Sequence, residues 1–155
     1  MRNKIVLLTF IMFRSFLIWG QSKDETISYI NSILELHSNK TTYYYFYESS
    51  NNFLVAQSKI YLNLEKSYFF YKFNPKDALF IASTTTPNNV TSFVFTFKKD
   101  TVKLLYEKDG ATIEEMNHID FSPLLNMTKN EIEKLTKAYK YLIKLLGGDI
   151  KDNLF

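Results

Sequence analysis

The chain has 155 residues, with 19 Lys plus Arg against 16 Asp plus Glu and no cysteine, so disulfides, thiol sites and lipoprotein acylation are excluded. Its formal charge of +3 comes from the first 20 residues, which carry Arg2, Lys4 and Arg14, both arginines of the chain among them, and no acid. Without that segment sixteen lysines face sixteen acids, and such a body lacks the guanidinium contacts and positive field that nucleic-acid binding requires.

The opening MRNKIVLLTFIMFRSFLIWG runs from a basic start through an apolar stretch, Ile5 to Phe13, toward small and polar residues from Gly20 to Ser22. That is the layout of a secretory signal peptide. The stretch falls short of the about 20 apolar residues that span a bilayer, and Arg14 interrupts it. The sequence predicts a leader over 1–20, removed on export to the periplasm or the exterior, and one domain over 21–155. No membrane attachment is expected after cleavage, because the body has no polybasic cluster.

Within the body, Ser22 and Glu25 have the spacing of a capping box, and Ile27, Ile30 and Leu34 follow at helical intervals. From Thr41 the period changes to two. Five aromatic residues in a row place Tyr43, Tyr45 and Tyr47 on one face of a strand, with Tyr44 and Phe46 on the other. A second strand should turn Ile60, Leu62 and Leu64 inward. The next sets Tyr68, Phe70 and Lys72 opposite Phe69, Tyr71 and Phe73, before a turn at Asn74-Pro75-Lys76-Asp77.

ALFIAS reads as a short strand and TTTPNN as a loop. Phe93, Phe95 and Phe97 then line one face of a strand. Val102, Leu104 and Tyr106 begin a hairpin turning at Lys108-Asp109-Gly110, and HIDF, with Ile119 and Phe121 inward, is the last strand, ended by Pro123. Thr128 and Glu131 make a second capping box. Ile132, Leu135, Tyr139, Leu142, Ile143 and Leu146 trace one face of the final helix, stopped by Gly147 and Gly148. The fold class is α+β: a helix, six or seven antiparallel strands in a bent sheet or partial barrel, and a helix. A pleckstrin-homology-like barrel shares that order by analogy of fold alone.

Few constellations carry chemistry. His118 and Asp120 share a strand face and are the candidate pair for orienting an imidazole or holding a metal ion, but no third ligand accompanies them. Glu114 and Glu115 point to opposite sides of a strand. No phosphate-binding glycine loop, GxSxG or HExxH occurs, so the sequence points to no catalytic residue and no cofactor. Most of the rings belong to a core covered on both faces, but phenolic hydroxyls need partners. A face of Tyr43, Tyr45 and Tyr47 therefore suits a rim or shallow groove and is the candidate ligand contact.

With the leader ending in WGQS, the helix ETISYINSIL, the aromatic strands and the closing KAYKYLIKLLGG, the chain resembles a group of small exported proteins of Bacteroidetes. The resemblance implies export and a single domain, and it carries no activity and no site residue. The expectation is a non-enzymatic exported domain that binds a protein segment or small ligand. The alternatives are a carbohydrate-contacting protein that uses exposed tyrosines and a hydrolase whose site is not legible.

Overall fold

The computed structural model describes residues 22–39, 42–49, 54–62, 65–106 and 110–150. The leader over 1–20, Leu64 and the hairpin turn residues Lys108 and Asp109 lie outside these residues.

Helix α1, Lys23–His37, starts at the anticipated cap. The Ser22 hydroxyl accepts the Glu25 N–H at 3.2 Å, and the Glu25 carboxylate accepts the Ser22 N–H at 2.8 Å. Two donors that a helix start leaves orphaned are thereby satisfied. Ile30 and Leu34 are fully buried, as their spacing requires.

The strands follow as β1, Thr42–Glu48; β2, Leu54–Leu62; β3, Glu65–Phe73; β4, Ala78–Thr85; β5, Val90–Phe97; β6, Val102–Leu105; β7, Thr112–Met116; and β8, His118–Leu125. A 3₁₀ turn, Pro75–Asp77, separates β3 from β4. The class is α+β, and the described strands divide between two antiparallel sheets that do not close into a barrel. One sheet has the order β1-β2-β3-β6-β7 and the other β4-β5-β8.

Three local expectations change. Pro123 does not end β8, which runs on to Leu125. Among the strands β8 pairs with β5 alone, and its other side meets only an isolated bridge between Leu124 and Ser38, so as an edge strand it tolerates a residue without an N–H. Tyr106 is exposed, because a register shift at Leu104/Leu105 turns Leu105 into the buried position instead. Also, β2 begins at Leu54, and Leu54, Val55 and Ala56 are all buried, an apolar start the alternation around Ile60 concealed.

The two sheets meet through rings. Phe46 stands 5.1 Å from Phe121 and 6.2 Å from Phe95, and Phe73 stands 4.8 Å from Phe97. Helix α2, Lys129–Leu145, contributes Leu135, Tyr139, Leu142 and Ile143 to the same core, with Tyr139 4.7 Å from Phe95. Its end is a Schellman cap: Gly147 adopts φ +84°, its N–H bonds to Lys144 O, and the Gly148 N–H reaches Ile143 O at 2.9 Å. A Cβ on Gly148 would stand 2.4 Å from Pro75 O, so only glycine lets α2 end against the 3₁₀ turn. Among the described residues no helix is long and apolar enough to cross a membrane.

Candidate functional site

β1 is the edge strand of the larger sheet, and α1 runs antiparallel alongside its free edge. Lys23 at the start of α1 pairs with Glu48 at the end of β1. Two turns further along α1, the Asn31 side-chain amide takes both backbone groups of Phe46. Its Nδ2 donates to Phe46 O at 2.8 Å, and its Oδ1 accepts the Phe46 N–H at 2.7 Å. Asn31 thus presents one donor and one acceptor, as the peptide of an added strand would.

Farther along this seam helix and strand enclose a groove of about 630 Å³. Ser28, Asn31, Ser32 and Glu35 line its helix side, and Tyr43, Tyr44 and Tyr45 its strand side. Because Phe46 directs its N–H and C=O away from β2, and the β1–β2 register is unbroken, Tyr44 directs its own pair the same way. None of the hydrogen bonds among the described residues engages that pair. One residue pair further, the Thr42 N–H is taken by Asn39 Oδ1 at 2.6 Å. The open stretch of edge is therefore short and centred on Tyr44.

The Tyr44 side chain is turned the other way, into the core. Its hydroxyl donates to Ser122 O and accepts the Ser122 N–H at 3.0 Å, and its ring meets Phe121 edge-on at 5.3 Å. Burial pushes this phenol up to about 12. The strand is thus pinned from the inside while its groove-facing edge stays open.

The anticipated tyrosine face is divided. Tyr43 and Tyr45, 37% and 52% exposed, line the groove. Tyr47 does not. It packs on the outer face of the sheet, beside a small cluster of Val55, Phe70 and Leu105. Asn31, Glu35 and the Tyr44 backbone were not singled out from the sequence. The signal that pointed toward them was the helical strip Ile27, Asn31 and Glu35 on an element flanking a tyrosine strand.

His118 and Asp120 lie together on the exposed side of β8, with His118 Nδ1 3.2 Å from Asn117 Oδ1. Partial burial raises the Asp120 carboxyl, and the His118 ring offsets part of that shift. Among the described residues no group of three or more His, Cys, Asp or Glu side chains is placed to hold a metal ion. A different histidine is built in. His37 is buried at the end of α1, and its Nδ1 bonds Leu125 O at 2.8 Å. A carbonyl only accepts, so Nδ1 carries the proton. Nε2 then faces Glu131 Oε1 at 3.4 Å, joining α1, β8 and α2 at one point.

Compared with protein-family models, with the curated proteins and with the solved structures, the chain matched none.

Proposed function

We propose that this is an exported, non-enzymatic binding module that receives an extended protein segment in the groove between α1 and β1. The observation that carries the reading is the open backbone edge at Tyr44, flanked by Asn31 at Phe46 and Asn39 at Thr42. Edge strands with free N–H and C=O groups bind extended peptides by adding a strand, while neighbouring side chains supply selectivity. The groove volume is within the usual range for ligand sites, roughly 300–1,000 Å³. Export to the periplasm or the exterior belongs to the same reading and rests on the leader-like layout of 1–20.

A titration of the protein with acetyl-Thr-Val-Ala-Val-Thr-amide, followed by amide NMR, tests the reading. Added peptide should shift the Tyr44 amide first and slow its hydrogen exchange. The same peptide with proline at its centre loses the central N–H and should bind more weakly. Equal shifts with both peptides, or shifts that avoid β1, would remove the proposal.

A second reading is favoured by Tyr43 and Tyr45 lying beside the amide of Asn31 and the carboxylate of Glu35. Rings next to such polar groups suit stacking on a sugar. Glycan-array binding lost in a folded Tyr43→Ser, Tyr45→Ser variant would support it, and unchanged binding in that variant would end it.

A further inference from the structure

The chemistry of the open edge is lopsided, and this narrows what it accepts. One helical turn separates Asn31 from Glu35, a rise of about 6 Å. Two strand residues separate Phe46 from Tyr44, about 6.7 Å. Since α1 and β1 run antiparallel, the step from Asn31 to Glu35 parallels the step from Phe46 to Tyr44, and Glu35 and Tyr44 both line the groove. The Asn31 and Glu35 side chains differ in one respect. An amide offers a donor and an acceptor and so satisfies a peptide group completely, whereas an ionised carboxylate only accepts.

At Tyr44 the edge therefore offers one backbone donor against a backbone carbonyl and, from Glu35, a carboxylate. The hydroxyls of Ser28, Tyr43 and Tyr45 can donate as well as accept, so the carboxylate is the one charged group among the described lining residues and leaves an excess of acceptors beside Tyr44. Ser32 does not redress this, because its hydroxyl donates to Tyr29 O within α1 at 2.8 Å. Nor does any ion pair among the described residues neutralise Glu35. Among the described residues the lysine–carboxylate pairs join Lys23 to Glu48, Lys98 to Asp77 and Lys99 to Asp100, and Glu131 stands against the His37 ring. None involves Glu35, and none of the described residues lining the groove is basic.

Resting on the strand-addition reading, the geometry points to a groove that selects an extended segment carrying an ammonium group, received between the Glu35 carboxylate and the Tyr44 carbonyl. An ammonium has three N–H donors and no acceptor, which complements this surplus. It comes either from a free chain N-terminus or from a lysine side chain near the paired residue. The single open position at Tyr44 limits pairing to about one residue pair, so backbone hydrogen bonds alone give little affinity, and the charge contact becomes a large share of it.

Three peptides separate the sources: acetyl-Thr-Val-Ala-Val-Thr-amide, the same sequence with a free amino terminus, and the acetylated sequence with lysine at its centre. Each is titrated into the protein and into the Glu35→Gln variant. Glu35 is exposed, so the variant should fold, and its amide spectrum checks this. One or both ammonium-bearing peptides should bind about two- to five-fold more tightly than the neutral one, the range of a partly exposed ion pair. Glu35→Gln should remove that gain, read as the ratio of each ammonium-bearing peptide's affinity to that of the neutral peptide within the same variant. The peptide that shows the gain identifies the source.

Equal affinity for all three peptides overturns the ammonium selectivity yet leaves strand addition standing. A gain that survives Glu35→Gln also overturns it, because the charge would then be read elsewhere. If 1,5-diaminopentane binds at Glu35 as tightly as the lysine peptide, the segment is not what is recognised, and the inference fails. Absence of binding by every peptide sinks both this inference and the reading beneath it.

Discussion

The Asn31 side chain on α1 holds both backbone polar groups of Phe46 on β1, at 2.8 and 2.7 Å, across fifteen residues of chain. Asn31→Ala removes both bonds at once and leaves the Phe46 groups, half covered by α1, without partners. A loss of about 1–3 kcal/mol is expected, the cost of stranding partly buried polar groups. Urea denaturation measures it, and an unchanged midpoint would mean that water replaces the amide. The freed edge should also lengthen the stretch of β1 open to pairing. The variant is then expected to self-associate with rising concentration in sedimentation experiments.

Tyr44→Phe tests the internal anchor of the same strand. The phenol both donates to and accepts from Ser122, so its loss leaves a backbone N–H and C=O of β8 short of a partner. A destabilisation of about 1–3 kcal/mol is expected by thermal or urea unfolding. The pH dependence gives an independent check. Burial raises this phenol from its ordinary 10.0 to about 12, so the folded state holds the proton more tightly than the unfolded chain. That contribution is complete below pH 10.0 and is lost as pH rises through about 12. Wild-type stability should fall over this interval, and Tyr44→Phe should flatten the decline.

Tyr139 presents the opposite case. Its ring is enclosed by Phe46, Phe93 and Phe95, and its hydroxyl is buried with no hydrogen-bond partner among the described residues. Burial therefore drives its ionisation well above the ordinary tyrosine range. Tyr139→Phe keeps the ring and deletes the stranded oxygen. A gain of about 1 kcal/mol is expected in urea unfolding, because desolvating an unpaired hydroxyl opposes folding. A marked loss would reveal a partner for that oxygen.

Glu131 governs the acid side. Its carboxylate accepts the Thr128 hydroxyl at 2.7 Å and the Thr128 N–H at 2.8 Å, which lowers its ionisation below the ordinary carboxylate range, and His37 adds to this. A depressed acid contributes stability above its unfolded value and loses it as pH falls through the folded one. The urea midpoint should therefore drop between about pH 5 and pH 3. Glu131→Gln, still able to cap through its amide oxygen, should show a smaller drop. Equal slopes would place the acid sensitivity at other carboxylates.

Both helices, their capping boxes and the glycine stop were legible from the chain because each depends on residues within one or two turns. Ser22 with Glu25, Thr128 with Glu131, and Gly147 are local statements, and local hydrogen bonds carried them into the fold. The inward set of β5, Phe93, Phe95 and Phe97, was equally readable, since alternation is intrinsic to an extended backbone. Pro123 misled because whether a strand tolerates proline depends on whether it lies at an edge, and that is decided by pairing. Leu105 displaced Tyr106 because a bulge against β7 shifted the alternation.

The groove was half visible. Alternation set Tyr43 and Tyr45 on the side opposite Tyr44 and Phe46, and their hydroxyls argued for a wet surface. Composition and period determined that much: a ring-rich α+β body with one tyrosine face unsuited to a dry core. Tertiary structure alone decided that β1 would be an edge, that α1 would lie along it, and that Asn31 would close one position while Glu35 lined the same groove as the open one. Such choices arise where elements distant in sequence compete to cover the same backbone groups, and the winner depends on the packing of the whole core.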